Sequence, residues 1–160
     1  MNSDLHYSRQ QYELVLESRT SLLDYCKTIS PPDFLSTNSS FGRGGTIRNL
    51  LVHIANTYEF WIGKNALKMN VVFTKYESVN KVEEVIALFS RVDILMFEFI
   101  EKVAESRIQL VEYEINGNKS VVEPLKLFTH VITHEFHHKG QILSMSRHLG
   151  YTPVDTDIIK

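Results

Sequence analysis

Apolar side chains recur at three- and four-residue spacing in four long runs of this chain, the signature of amphipathic helices. In the first run, residues 4–29, Tyr12, Val15, Leu16, Leu22, Leu23 and Cys26 share a face. Ser30-Pro31-Pro32 ends it, because proline disfavours helix in the residue before it. The polar stretch SSFGRGGT follows. It has glycines but no Walker lysine–Ser/Thr pair, so it predicts a linker ending at Thr46 as N-cap rather than a phosphate loop. The second run, TIRNLLVHIANTYEFWIGKNAL, covers 46–67. A long connection with Val71, Val72 and Phe73 leads to Asn80, which with Glu83 predicts the start of a third helix reaching about residue 106.

Between the third and fourth runs the period changes. IQLVEYEINGNKSVVEP alternates around Asn116-Gly117, a dipeptide suited to a tight hairpin turn. Pro124 then suits a first helical position and opens a fourth helix over 125–149, ended by Gly150 and Pro153. The expected fold is all-α: a four-helix bundle with a small β-hairpin between helices three and four, one domain over residues 1–160.

Charge and cysteine content narrow the function. Seventeen Lys+Arg against nineteen Asp+Glu leave −2, so a strongly basic nucleic-acid surface is not expected. Cys26 is the one cysteine, which excludes an intramolecular disulfide and a cysteine-built zinc site. The start MNSDLHYSRQ has no apolar run, and no stretch approaches the ~18 apolar residues of a membrane span. A soluble, cytoplasmic protein without a membrane partner is expected.

Against that background the histidines stand out: seven in all, with His130, His134, His137 and His138 close together. On a wheel at ~100° per residue, Leu127, Val131, His134, His138, Gln141, Ile142, Met145 and Leu149 fall on one side of the fourth helix. Four residues apart, His134 and His138 project side by side and can reach one point, as in helical His-x-x-x-His metal sites. On the second helix His53 shares a face with Leu50, Ile54, Thr57, Phe60 and Trp61. Three imidazoles in an apolar interior each carry a nitrogen that needs a partner, and a shared cation satisfies all of them. Spacing alone leaves His130/His134 in competition with His134/His138, and His130 with His137 as another inward pair.

TIRNLLVHIANTYEFW, followed near the end of the chain by HVITHEFHHKGQILSMSRHLGYTP, is similar to the DinB/YfiT-like family of four-helix metalloproteins. The shared pattern is a histidine after Thr-Ile-Arg-x-Leu-Leu, a later His-x-x-x-His followed by basic-Gly-Gln, and a closing Leu-Gly-Tyr-x-Pro. Lys139 stands where the family more often has arginine. The resemblance implies that the metal ligands are His53, His134 and His138, and that the bundle runs up-down-down-up. The family is distinct from the DNA polymerase that shares the DinB name.

Three imidazoles and no thiolate suit a divalent transition metal, Zn²⁺, Ni²⁺ or Fe²⁺. Three protein ligands leave a coordination position open, the catalytic rather than the structural arrangement. Such an ion acidifies a bound water or activates a thiolate. Relatives of the fold include thiol-dependent S-transferases and isomerases. The expected function is therefore a metal-dependent hydrolase or thiol S-transferase acting on a small molecule, with a low-molecular-weight thiol as a candidate partner. The alternative is a non-catalytic, metal-stabilised bundle that binds a ligand or protein partner. Glu59 and Glu135 lie off the ligand faces and read as solvated or interhelical charges, while Thr57, Asn56 and Gln141 lie near enough to support the ligands or to sit at the rim of the core. Gly140 suggests close helix packing. Finally, Phe128, Ile132, Phe136 and Leu143 form a second apolar stripe on the fourth helix, opposite His134. Left exposed, such a stripe predicts a homodimer interface unless the hairpin or the long connection folds over it.

Overall fold

The computed structural model describes residues 3–38 and 45–159, with side chains from His6 onward. Most of the SSFGRGGT linker, residues 39–44, lies outside them. Helix α1 spans Ser3–Cys26, and a single turn, α2, Pro31–Phe34. Helix α3, Ile47–Tyr58, continues into a π-helical segment, Glu59–Ala66, and the connection contains a 3₁₀ turn, Tyr76–Ser78. Helix α4 is Val82–Ala104, strands β1 and β2 are Val111–Ile115 and Asn118–Val122, and α5 is Pro124–His148.

Local chemistry accounts for most of these boundaries. The Thr46 hydroxyl accepts from the Asn49 amide at 2.9 Å and opens α3, as expected of an N-cap. At α4 the expected Asn80/Glu83 start is displaced by one residue. Lys81 is the cap position, and the Glu84 carboxylate accepts from the amides of Asn80 and Lys81 at 2.7 and 3.2 Å. The hairpin follows the Asn-Gly signal: Asn116 and Gly117 have φ of 52° and 79°, the positive pair a type I′ turn needs. The register runs from Val111 opposite Val122 to Ile115 opposite Asn118.

The π-helical segment was not legible as such. Gly63 sits in it so close to its neighbours that a Cβ would lie 3.1 Å from Val71 Cγ2 and 3.3 Å from Leu95 Cδ1. The widened turn thus brings backbone directly against α4 and the long connection.

Helix α1 packs on α4 and α5, and α3 packs on α4 and α5, around one apolar cluster that includes Tyr12, Leu22, Leu50, Ile54, Val92, Phe99, Val131 and Ile142. The second stripe of α5 is not an exposed patch. Phe128 and Ile132 are buried, and Phe136 and Leu143 pack against the same cluster. Helix α1 faces that side of α5, with Tyr25 donating to Ser146 Oγ at 2.8 Å and Lys139 to Ser18 Oγ at 2.9 Å. The stripe is interior to the chain, so the homodimer expected from it loses its ground. Among the described residues no helix is long and apolar enough to cross a membrane.

Candidate metal centre

The second turn of α3 carries His53 and the middle of α5 carries His134 and His138. The three rings meet in the space between these helices. Ring centroids are 5.0 Å apart for His53–His134, 4.8 Å for His53–His138 and 4.4 Å for His134–His138. One ligand atom from each lies within 4.8 Å of the others, so the group can hold a metal ion. His130 and His137, the competing candidates, are exposed, and among the described residues neither joins the cluster.

The donor set fits a cation. Gln141 Oε1 lies 2.7 Å from His138 Nδ1 and can only accept, which puts the hydrogen on Nδ1 and leaves Nε2 with its lone pair. That Nε2 is 3.1 Å from His134 Nε2. Two nitrogens bound to one ion at about 2.0–2.1 Å with tetrahedral angles lie roughly 3.3 Å apart, so little movement is needed. His134 Nδ1 is buried and has no hydrogen-bond partner, an unusual state for an interior imidazole. Burial, followed by the neighbouring imidazoles of His138, His53 and His130, pushes the His134 ring down to about 3. Burial also lowers His138, against the opposing effect of its bond to Gln141. Both rings are therefore neutral near pH 7, the form in which imidazole donates to a metal.

Of the supporting residues suggested by sequence, only Gln141 meets a ligand ring in this way. The Thr57 hydroxyl donates to the backbone carbonyl of His53 at 2.8 Å, and Asn56 binds both backbone groups of Thr74, tying down the long connection. Tyr58 is buried, as expected of a core residue. Trp61 packs edge-on against Phe60, Tyr113 and His130, forming an aromatic wall that reaches His134 through His130. The groove of about 510 Å³ between the start of α1, the end of α4 and the start of α5, lined by Tyr7, Phe99, Leu125 and Phe128 among others, includes none of the three histidines.

Sequence reasoning missed a second cluster, one residue further along α5. Glu135 is fully buried, which makes it the interhelical rather than the solvated charge of the two readings its position allowed. Arg19 grips it as a fork, Nε to Oε1 at 2.9 Å and Nη2 to Oε2 at 2.8 Å. Lys139 Nζ lies 3.0 Å from Oε1, and the Tyr58 hydroxyl donates to Oε2 at 2.7 Å. Arg19 Nη1 and the Tyr12 hydroxyl donate to Asp93, at 2.5 and 2.7 Å. Burial alone would push the Glu135 carboxyl up, but Arg19 and Lys139 hold it down at about 2. Burial likewise lowers Lys139, with Glu135 opposing. A signal existed in the sequence: Arg19 occupies a stripe position between Val15 and Leu22, and Glu135 one between Phe128 and Ile142. Glu59 is also buried; Arg91 pairs with its Oε1 at 3.2 Å, and its Oε2 has no partner. Cys26 is buried on the apolar face of α1, its thiol pushed up to about 12 by burial.

Mostly helical chain, with three inward imidazoles offered by two facing helices, defines the class: a helical protein with a histidine-built centre that can accept a metal ion. The chain belongs to the DinB family, which matches residues 1–160, its whole length. No curated protein matches it closely enough to count as a relative.

Proposed function

We propose that the chain is a metal-dependent enzyme acting on a small molecule, with His53, His134 and His138 binding one divalent transition metal between α3 and α5. The observation that carries this reading is the donor count. Among the described residues three imidazoles converge and no fourth metal-ligating side chain joins them, and His53 and His134 are only half-buried. Three neutral donors leave a position for substrate, whereas structural sites close with four. The cycle of contacts α1–α4–α3–α5–α1 supports reading the four long helices as an up-down-down-up bundle, with the centre between two of its members.

A divalent ion held there supplies Lewis acidity, for polarising a substrate oxygen or stabilising a thiolate. The chain's own residues do the rest. Gln141 fixes which nitrogen of His138 faces the centre, and burial keeps His134 unprotonated. Hydrolysis and thiol S-transfer both suit such a site, the latter using a low-molecular-weight thiol. Purified protein given Zn²⁺ or Ni²⁺ should take up about one equivalent per chain. The His134→Ala/His138→Ala double variant should take up none, as measured by elemental analysis after desalting. Unchanged uptake in that variant overturns the assignment. Metal-loaded protein that transfers no thiol and hydrolyses no activated ester across a panel of small substrates moves the reading to the metal-stabilised binding protein.

A further inference from the structure

We propose that Tyr58, Arg19 and Glu135 are positioning residues for the three-histidine centre: they set the register of α5 against α3 so that His134 and His138 meet His53. The inference rests on the metal-site reading above. His53 belongs to one helix and the other two imidazoles to another, so their convergence depends on how far α5 is rotated and slid along α3. Apolar contacts fix such a register poorly, because burial is nearly non-directional. A forked arginine–carboxylate pair fixes it well, since its hydrogen bonds weaken steeply with angle and within a few tenths of an ångström.

The fork is placed where it acts on the ligands. Glu135 and Lys139 repeat the four-residue spacing of His134 and His138 one residue later. On a helix that is about 100° around the same two turns, so any rotation that turns the imidazoles away from His53 also pulls Glu135 out of its partners. Tyr58, five residues after His53, ties α3 to Glu135 through its hydroxyl. Arg19 ties α1 to Glu135 and, through Asp93, to α4. All four long helices therefore meet at one polar node. The node balances two cations, Arg19 and Lys139, against two anions, Asp93 and Glu135, and so places no net charge beside the imidazoles. A buried ion cluster stabilises a fold little better than well-packed apolar side chains do, and fixing a register is the best-attested use of buried polar groups.

The test uses Co²⁺ as the probe, with its visible absorption reporting ligand geometry and chelator competition reporting affinity. Tyr58→Phe removes one hydroxyl and leaves the ring. It should fold, bind Co²⁺ about 10-fold or more weakly, the usual size of an outer-shell effect, and show altered visible bands. Phe34→Leu, a core change in α2, should lower the melting temperature while keeping the wild-type affinity and spectrum. Glu135→Gln provides the same comparison should Tyr58→Phe fail to fold. Tyr58→Phe within twofold of wild type with the same bands overturns the proposal, as does an equal loss in Phe34→Leu. Wild-type protein that takes up no Co²⁺ overturns the metal reading and this inference with it, so the two failures are told apart.

Discussion

On α5 two i,i+4 pairs stand side by side, His134/His138 and Glu135/Lys139, and they solve the problem of buried polarity in opposite ways. The carboxylate and ammonium are charged, buried and hydrogen-bonded within the chain: Glu135 alone receives Arg19, Lys139 and Tyr58. The imidazoles avoid charge instead. His134 is pushed down to about 3 and retains a buried nitrogen with no partner. A polar group that finds its partners inside the chain serves the fold, and one that stays neutral and unsatisfied is available to something else. The contrast separates, on one helix, the groups that hold the helices in place from the groups that face the centre.

The sharpest way to break the comparison is to remove one member from each side. Arg19→Met leaves Glu135 buried beside Lys139 without its fork, and truncating one partner of a buried ion pair costs about 3–5 kcal/mol. His134→Ala in chelator-treated protein removes a half-buried ring that satisfies little, and should cost about 1 kcal/mol or less, the range of substitutions outside tightly packed networks. Urea denaturation of the two variants measures both. Equal losses would mean that the imidazole face is structural as well.

Acid sharpens the same contrast. The His134 ring has an ordinary value of 6.5 and about 3 in the folded chain, so the unfolded chain takes up its proton first as pH falls. Stability attached to it is present above pH 6.5 and is lost progressively as pH falls toward 3. Glu135 is held at about 2 against an ordinary 4.5, so its contribution is complete above pH 4.5 and is lost only below. In metal-free protein, His134→Ala should flatten the fall in stability between pH 6.5 and 4.5, while Glu135→Gln should leave that slope in place and lower the whole curve. Urea midpoints across this range decide it. A slope unchanged in His134→Ala would show that the ring is not held neutral.

The two faces also differ in how far they could be read from the chain. The helices, the hairpin and the α5 stripe with His134 and His138 followed from periodicity and turn chemistry, because those are local properties of neighbouring residues. The choice of His53 as the third imidazole drew on a family resemblance as well, since spacing cannot say which helices face each other. Glu135 was placed off the ligand face correctly, but spacing left it open between a solvated and an interhelical charge, because its partner Arg19 lies 116 positions away. Opposite charges at stripe positions of two helices were the available sign. The π-helical segment had no local signal, since the tight approach of Gly63 to Val71 and Leu95 is tertiary. The second α5 stripe misled for the same reason: nothing in residues 128–143 announces that α1 will cover them.

The smallest effect concerns a third face of α5. Gly140 follows the buried Lys139, and the sequence suggests that its missing side chain makes room for a neighbouring helix. The structure shows otherwise. A Cβ added there meets nothing within 4 Å, and the residue is exposed. No positive φ calls for glycine at this position either. What remains is the entropy cost of glycine within a helix, so Gly140→Ala should stabilise the chain by roughly 0.5–1 kcal/mol. The substitution leaves both polar pairs untouched, and metal uptake should be unchanged. A denaturation midpoint that rises with undiminished metal uptake fits a solvent-facing position outside both clusters. A midpoint that falls would mean that something packs against Gly140 after all, and would tie this third face to one of the other two.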